Sequence, residues 1–216
     1  MRPKENIPEQ TLRRIPHYHQ ILSDLEAQGR KLISSSYLSR FFRVHDTQVR
    51  KDVSVIGYRG RPKAGYSVSG LRQAIGDFLG TNLQNTAVLV GAGKLGSALC
   101  GYPGLAEYGL HIVGVFDSDP TRMGQRVAAF AIQDIATLPQ FLAGRGVGIA
   151  ILTVPKEAAQ GVADLVVGLG IRAIWNFAPT QLTVPPEVSV RHENLAVGLA
   201  LLSHDLKKSQ QPPSED

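Results

Sequence analysis

The run Val88-Leu89-Val90-Gly91-Ala92-Gly93-Lys94-Leu95-Gly96 constrains this chain more than any other stretch. Apolar, strand-forming residues lead straight into G-x-G-x-x-G, the turn by which a parallel strand hands over to a helix at a dinucleotide site. Each glycine has its own task. Gly91 permits the tight turn, Gly93 lets a pyrophosphate approach the backbone, and Gly96 lets the helix lie against the strand. The pyrophosphate is expected at the N-terminus of that helix, where free N–H groups and the helix dipole favour anions. An acid belongs about 20 residues further on, and Asp117 stands 21 beyond Gly96, where the next apolar run ends. Its carboxylate is placed to accept hydrogen bonds from an adenosine ribose. It also repels a 2′-phosphate, so NAD(H) is favoured over NADP(H); Arg122, close by in sequence, weakens that preference.

About 85 residues precede this loop, and they are basic. Residues 1–85 hold 14 Lys/Arg against 7 Asp/Glu, whereas residues 86–216 hold 9 against 11. Such asymmetry points to a polyanionic partner for the first part. Asn6 is the expected N-cap of a helix in which Ile15, Tyr18, Ile21, Leu22 and Leu25 recur at helical spacing until Gly29, with Pro16 kinking or dividing it. Ser34-Ser35-Ser36 caps a second helix carrying Tyr37, Leu38, Phe41 and Phe42. Asp46 caps a third, from Thr47 to about Val55, which Gly57 closes. Gly60, Pro62 and Gly65, flanked by Tyr58 and Tyr66, read as a twisted hairpin, and a short helix from Leu71 to Leu79 follows. Three helices and a basic hairpin make a winged helix-turn-helix.

In the third helix Val49, Val53 and Ile56 share one face, so Thr47, Arg50, Lys51 and Ser54 project the other way, with Gln48 at the edge. That is a recognition-helix composition, with Arg50 the candidate for a guanine edge and Lys51 for a phosphate. Arg59, Arg61 and Lys63 on the wing extend the basic surface toward an adjacent groove. Asp52 points toward the core and is expected to orient a cation. The partner these residues predict is double-stranded DNA.

From Thr86 the pattern alternates between strands and helices, the mark of a parallel sheet with crossovers. Strands are expected at 87–90, 112–116, 148–153, 173–177 and 188–190, and helices at 94–101, 135–142 and 156–168. The fold class is therefore α/β: a winged helix-turn-helix domain (1–80), a linker (81–85), a Rossmann-type domain (86–192), a C-terminal helix (193–208) and a disordered tail (209–216). Ligands bind beyond the carboxyl ends of parallel strands, which adds Thr153, Val154, Pro155, Asn176 and Phe177 to the candidate cofactor residues, with Tyr102 after the first crossover helix.

Cys100 is the only cysteine, so no intramolecular disulfide and no cysteine-based metal site can form, and no metal is expected. No apolar run reaches the roughly 18–20 residues of a membrane span, and no signal-peptide core follows Met1, so a cytoplasmic location is expected. An NAD-dependent oxidoreductase would need a proton donor or acceptor beside the nicotinamide. His111, His192 and His204 have no carboxylate partner in sequence, and His111 begins a strand at the end opposite the crevice. A coenzyme A module uses similar glycine loops, but Asp117 argues against it. The chain reads as a sensor, not an enzyme.

Taken in order, Ile7-Pro8, Thr11-Leu12-Arg13-Arg14-Ile15-Pro16, Gln48-Val49-Arg50-Lys51-Asp52, Gly65-Tyr66, the glycine loop, Phe116-Asp117, Leu152-Thr153-Val154-Pro155 and Asn176-Phe177-Ala178-Pro179 resemble the bacterial redox-sensing repressor family Rex. The resemblance spans about residues 6–206. It implies a homodimer whose winged helices hold a palindromic operator when NADH is scarce, with NADH and NAD⁺ as ligands. It also implies a last helix exchanged between subunits, to which Leu195, Leu199 and Leu202 contribute. Two positions depart from the family pattern. Val55-Ile56-Gly57 replaces an aromatic-Phe-Gly stretch, and Asn194 and Gln20 stand where an Asp and an Arg commonly face each other across the dimer.

Overall fold

The computed structural model describes residues 7–62 and 64–209, which divide into two compact units: the first runs to Gln84 and takes in Glu107–Gly109, and the second comprises Asn85–Ala106 and the described residues from Leu110 onward. In the first unit, α1 (Glu9–Ala27) buries Ile15, Tyr18, Leu22 and Leu25 along one face. Pro16 does not divide it; the ring only removes the N–H that would bond the Leu12 carbonyl. Asn6 lies outside the described residues, and the helix starts from the Pro8 carbonyl, which accepts from the N–H groups of Thr11 and Leu12. After α2 (Ser35–Phe42), whose cap Ser34 accepts from the Tyr37 N–H at 3.1 Å, comes α3 (Asp46–Val55). Its cap is His45, not Asp46: the imidazole Nδ1 faces the Thr47 N–H at 3.4 Å, and Asp46 occupies the first turn, where the dipole favours an acid. Gly57, at φ +80°, ends the helix as expected.

The wing differs from a regular hairpin. Arg61 and Gly65 make one isolated bridge, and β2 (Tyr66–Ser67) pairs not with the stretch near Tyr58 but with β1 (Leu32–Ile33), between α1 and α2. Gly65 explains this: it sits at φ +85°, and a Cβ there would lie 2.3 Å from the Ile33 carbonyl oxygen, so only glycine lets the wing press onto β1. Ser67 then caps α4 (Val68–Leu79), which starts three residues before the expected Leu71 and packs on α1 through Leu71 and Ile75. Lys63 lies outside the described residues.

The second unit is a seven-stranded sheet. In chain order it contains β3 (Asn85–Val90), α5 (Lys94–Cys100), α6 (Gly104–Glu107), β4 (Leu110–Asp117), β5 (Arg126–Val127), β6 (Phe130–Asp134), α7 (Leu138–Leu142), β7 (Ile149–Leu152), α8 (Lys156–Gly168), β8 (Ala173–Asn176), β9 (Ser189–His192) and α9 (Leu195–Ser209). The spatial order is β5-β6-β4-β3-β7-β8-β9, parallel throughout except for the β5–β6 pair. That hairpin was not expected from the sequence. The stretch expected as a helix over 135–142 opens as a 3₁₀ turn, Ile135–Thr137, and only α7 is α-helical, with Pro139 at its start.

Because β3 is central, all of Ala87, Val88, Leu89 and Val90 are within 1% of full burial, as both faces of a covered parallel sheet require. Val88 and Val90 join Phe116, Leu152 and the α8 residues Ala163 and Val166 on one face; Ala87 and Leu89 join Val115 and Ile151 on the other. From β3 the chain builds outward first through β4 and β6, then turns back through β7, β8 and β9. That reversal opens a crevice beyond the carboxyl end of β3, between the ends of β4 and β7. Leu199, Leu201, Leu202 and Leu206 of α9 are each more than half exposed. Among the described residues no helix is long and apolar enough to cross a membrane, and no cluster of His, Cys, Asp and Glu could hold a metal ion.

Candidate dinucleotide crevice and nucleic-acid interface

The crevice has a volume of about 720 Å³ and is walled by the glycine loop, the end of β4, the β7–α8 turn and Phe177. Gly91 turns at φ +100° beneath the Thr153 carbonyl, which a Cβ would approach to 2.7 Å. Gly96 is tighter: its Cβ would come within 2.0 Å of the Gly91 carbonyl oxygen, so the α5–β3 packing tolerates no side chain. Gly93 is the opposite case, with nothing within 4 Å of an added Cβ; its open side lines the crevice. No side chain caps α5, leaving its first N–H groups for a ligand anion. Thr153 fixes the loop from below, its hydroxyl donating to the Gly91 carbonyl at 2.6 Å.

Asp117 lines the crevice, with its side chain 13% exposed. One carboxylate oxygen accepts from the Ala92 N–H at 2.7 Å and the other from the Asp119 N–H at 2.9 Å. These bonds aim the group and leave further lone pairs for ribose hydroxyls. Arg122 Nη1 donates to the Ala92 carbonyl at 2.8 Å, while its Nε lies 3.2 Å from Asp119 and 3.9 Å from Asp117. Bonds from the Thr121 hydroxyl and N–H, with Arg122, hold the Asp119 carboxyl below its ordinary range. Two carboxylates against one guanidinium leave this rim net negative, so the charge of Arg122 is already balanced.

Of the other sequence candidates, Leu95, Val154, Pro155 and Phe177 line the crevice as well. Ala92, Lys94 and Gly96 do not: Ala92 and Gly96 are buried behind the loop, and Lys94 points to solvent. Tyr102 lines a separate cavity of about 240 Å³ with Cys100 and His111, because α5 ends before it and turns it away. Asn176 is fully buried and shapes the turn instead: its Oδ1 accepts from the Ala178 N–H, and its amide donates to the Thr180 carbonyl and His192 Nδ1. That Asx-type geometry is the usual behaviour of Asn before a loop, and was the signal to read. Missed by sequence reasoning were Ser118, Asp119 and the apolar pair Ile135 and Val162, which only the fold brings to the rim. None of His111, His192 or His204 lines the crevice. Burial pushes the Cys100 thiol up.

On α3, Val49, Asp52 and Val53 are buried, Thr47, Arg50, Lys51 and Ser54 are exposed, and Gln48 is half-buried at the edge. Asp52 is a hub. Its oxygens accept from the Thr11 hydroxyl (2.9 Å), Arg14 (2.7 and 3.0 Å), the Tyr18 hydroxyl (2.8 Å) and Gln48 Nε2 (2.9 Å). Burial alone would raise this carboxyl; the bonds from Arg14, Gln48, Tyr18 and Thr11 outweigh it and hold the group below its ordinary range. The hydrogen bond to Asp52 raises Arg14, and burial together with Asp52 raises the Tyr18 phenol. Arg50 Nη1 pairs with Asp46 at 3.0 Å, and Arg59 and Arg61 are exposed on the wing. Gln20 is exposed on α1, and Asn194 caps α9, accepting from the Ala196 N–H at 3.0 Å. The side chain of Leu195 lies outside the described residues.

Comparison with known proteins agrees with this division. Residues 6–54 match the family described as putative DNA-binding protein N-terminus, and residues 82–180 the CoA binding domain. A crystal structure of RSP in complex with β-NAD⁺ and operator DNA superposes with a TM-score of 0.89 at 33% identity, covering 96% of this chain and 95% of that one. RSP in complex with β-NADH gives 0.86 at 33% identity, covering 96% and 97%. The redox-sensing transcriptional repressor Rex of Thermus thermophilus is 44% identical over 91% of this chain and 92% of its own length. That of Clostridioides difficile is 38% identical over 95% of this chain and 98% of its own. At this identity along nearly its whole length, the chain belongs to the family of the redox-sensing transcriptional repressor Rex.

Proposed function

We propose that this protein is a cytoplasmic, homodimeric transcriptional repressor that binds a palindromic operator and is released when NADH occupies the crevice. The observation that carries this reading is the pairing, in one chain, of a basic recognition helix with a crevice whose ribose rim is net negative. That rim favours an unphosphorylated adenosine ribose. It disfavours the ribose phosphates of NADPH and of coenzyme A, which weighs against a coenzyme A ligand despite the name of the matching domain family. RSP, similar in fold to this chain throughout, has been solved with β-NAD⁺ and operator DNA and with β-NADH. The relatives are named as repressors, not as enzymes.

The exposed leucines of α9 need a cover, and a second subunit exchanging this helix supplies one. In that arrangement Asn194 and Gln20 face each other across the dimer as an uncharged amide pair. The two cofactor states act through differential affinity for two dimer conformations. Moving the dimer from mostly operator-competent to mostly incompetent takes a preference of about 10⁴, shared between two crevices. A neutral dihydronicotinamide is cheaper to bury than the cationic oxidised ring, which gives the preference its sign. A gel-shift assay on random duplexes, run with NAD⁺ and with NADH, tests the reading. Enrichment of a palindrome with NAD⁺ and its loss with NADH supports it; no enrichment in either state refutes it.

A further inference from the structure

Sequence spacing alone makes Arg122 a group that would attract a 2′-phosphate; its bonds give it different work. Two successive peptides form the middle of the glycine loop, and side chains hold both. The Gly91–Ala92 peptide is gripped at each end. Its carbonyl accepts from the Thr153 hydroxyl at 2.6 Å, and its N–H donates to Asp117 Oδ2 at 2.7 Å. The Ala92–Gly93 peptide is held by its carbonyl, which accepts from Arg122 Nη1 at 2.8 Å and from the Ser97 hydroxyl at 3.2 Å. Arg122 reaches it from the 3₁₀ turn Pro120–Arg122 that follows β4, and Asp119 Oδ2 steadies the guanidinium by accepting from its Nε at 3.2 Å.

A trans peptide turns its carbonyl and its N–H in opposite directions. The bond to Arg122 therefore also fixes where the Gly93 N–H points, and the open side of Gly93 lines the crevice. This peptide needs the restraint, because a residue without a Cβ opposes its rotation only weakly. Of its two donors the guanidinium is the stronger, since it is charged and the Ser97 hydroxyl is not. As a phosphate contact Arg122 is poorly placed. Nη1 and Nε are both engaged, and a second carboxylate, Asp117, stands 3.9 Å from Nε, so two anions already face this one cation.

We propose that Arg122 is a positioning residue for the diphosphate of the dinucleotide, acting through the Ala92–Gly93 peptide and not by touching the ligand. It holds that peptide ready for an anion at the start of α5, so the ordering is complete before the ligand arrives. The assignment rests on the reading of the crevice as an NADH site and adds the group that keeps its loop in one orientation.

The test uses the full-length protein and displacement of NADH fluorescence by adenosine and by ADP, with the variants Arg122→Met and Arg122→Gln. Methionine removes donor and charge together; the glutamine amide keeps a donor without the charge. Arg122→Met should weaken ADP about tenfold and leave adenosine within about twofold, because only ADP presents an anion to the loop. NADH and NADPH should weaken by the same factor, and Arg122→Gln should recover most of the loss. The amide resonance of Gly93, sharp in wild type, should broaden in Arg122→Met and sharpen again in Arg122→Gln. The Arg122 side chain is 40% exposed, so neither variant should shift the thermal midpoint. A midpoint that falls in step with ADP binding marks a merely structural role and overturns the assignment. So does a larger loss for NADPH than for NADH, which makes Arg122 a phosphate contact. Equal weakening by the two variants leaves only its charge and also overturns it, as does an equal loss of adenosine. Failure of folded wild type to bind NADH removes the crevice reading, and this assignment with it.

Discussion

Arg14 and Asp52 are 38 residues apart in sequence and joined by two hydrogen bonds, Nε to Oδ2 at 2.7 Å and Nη2 to Oδ1 at 3.0 Å. The Asp52 side chain is fully buried and that of Arg14 is 16% exposed. With Thr11 and Tyr18 on the same carboxylate, this pair fixes α3 against α1, so the exposed residues of α3 are carried by a helix that a buried charge cluster holds in place.

Removing the cation should therefore be costly. Arg14→Met leaves an uncompensated carboxylate in the core and should lower stability by about 3–5 kcal/mol. The double variant Arg14→Met/Asp52→Leu should recover a substantial part, because no buried charge then remains. Urea unfolding followed by circular dichroism distinguishes the two; equal losses would mean that the pair acts through shape and not charge.

Two groups in the first unit link stability to pH in the same direction. Burial and the nearby charge of Arg72 hold His19 below its ordinary value of 6.5, so its unfolded form binds the proton more readily. Its contribution is complete above about pH 6.5 and falls as the pH drops through the folded value. Asp52, held below 3.8, contributes fully above about pH 4 and is lost on further acidification. Hydrogen exchange in α1, corrected for intrinsic rates, should show protection declining from pH 7.5 to 5.5 in wild type. His19→Leu should flatten that decline.

The two glycines of the loop should separate folding from binding. Gly96→Ala drives a Cβ into the Gly91 carbonyl and should cost about 3 kcal/mol or more, the upper range of overpacking. Gly93→Ala meets open space at an ordinary φ of −69° and should leave stability within about 0.5 kcal/mol. Its methyl group instead occupies the ligand's approach and should weaken NADH binding about tenfold or more. Thermal melts and calorimetry on both variants check the contrast.

Asp117 and Asp119 outnumber Arg122 at the rim of the crevice, where the proposed reading seats the adenosine ribose. Asp117→Ser should therefore narrow the preference for NADH over NADPH by about tenfold, since it removes one charge and leaves the guanidinium in place. Fluorescence titration with both nucleotides measures the ratio, and an unchanged ratio would place the ribose elsewhere.

How far these features were legible in the sequence depended on their range. The glycine loop, Asp117 and the alternating strands follow local rules, and α8 begins and ends where its periodicity predicts. The hairpin of β5 and β6 escaped because its turn places Ala128 at φ +51° with no Gly or Asn to announce it, and because β6 is short and only partly buried. The inward tilt of Asp52 was readable from helical spacing; its four partners were not, since three come from α1. Tyr102 and Asn176 were placed by proximity along the chain, and local turns send the first to another cavity and fold the second inward. Asp119 and Arg122 balance one another only because a 3₁₀ turn after β4 brings them together.

The most direct test of the account is to titrate NADH into a preformed complex of the protein with its selected operator while following fluorescence anisotropy. The account predicts stepwise release of the duplex, with NAD⁺ at the same concentration leaving it bound. Retention of the duplex at saturating NADH, with calorimetry showing the crevice filled, would contradict it.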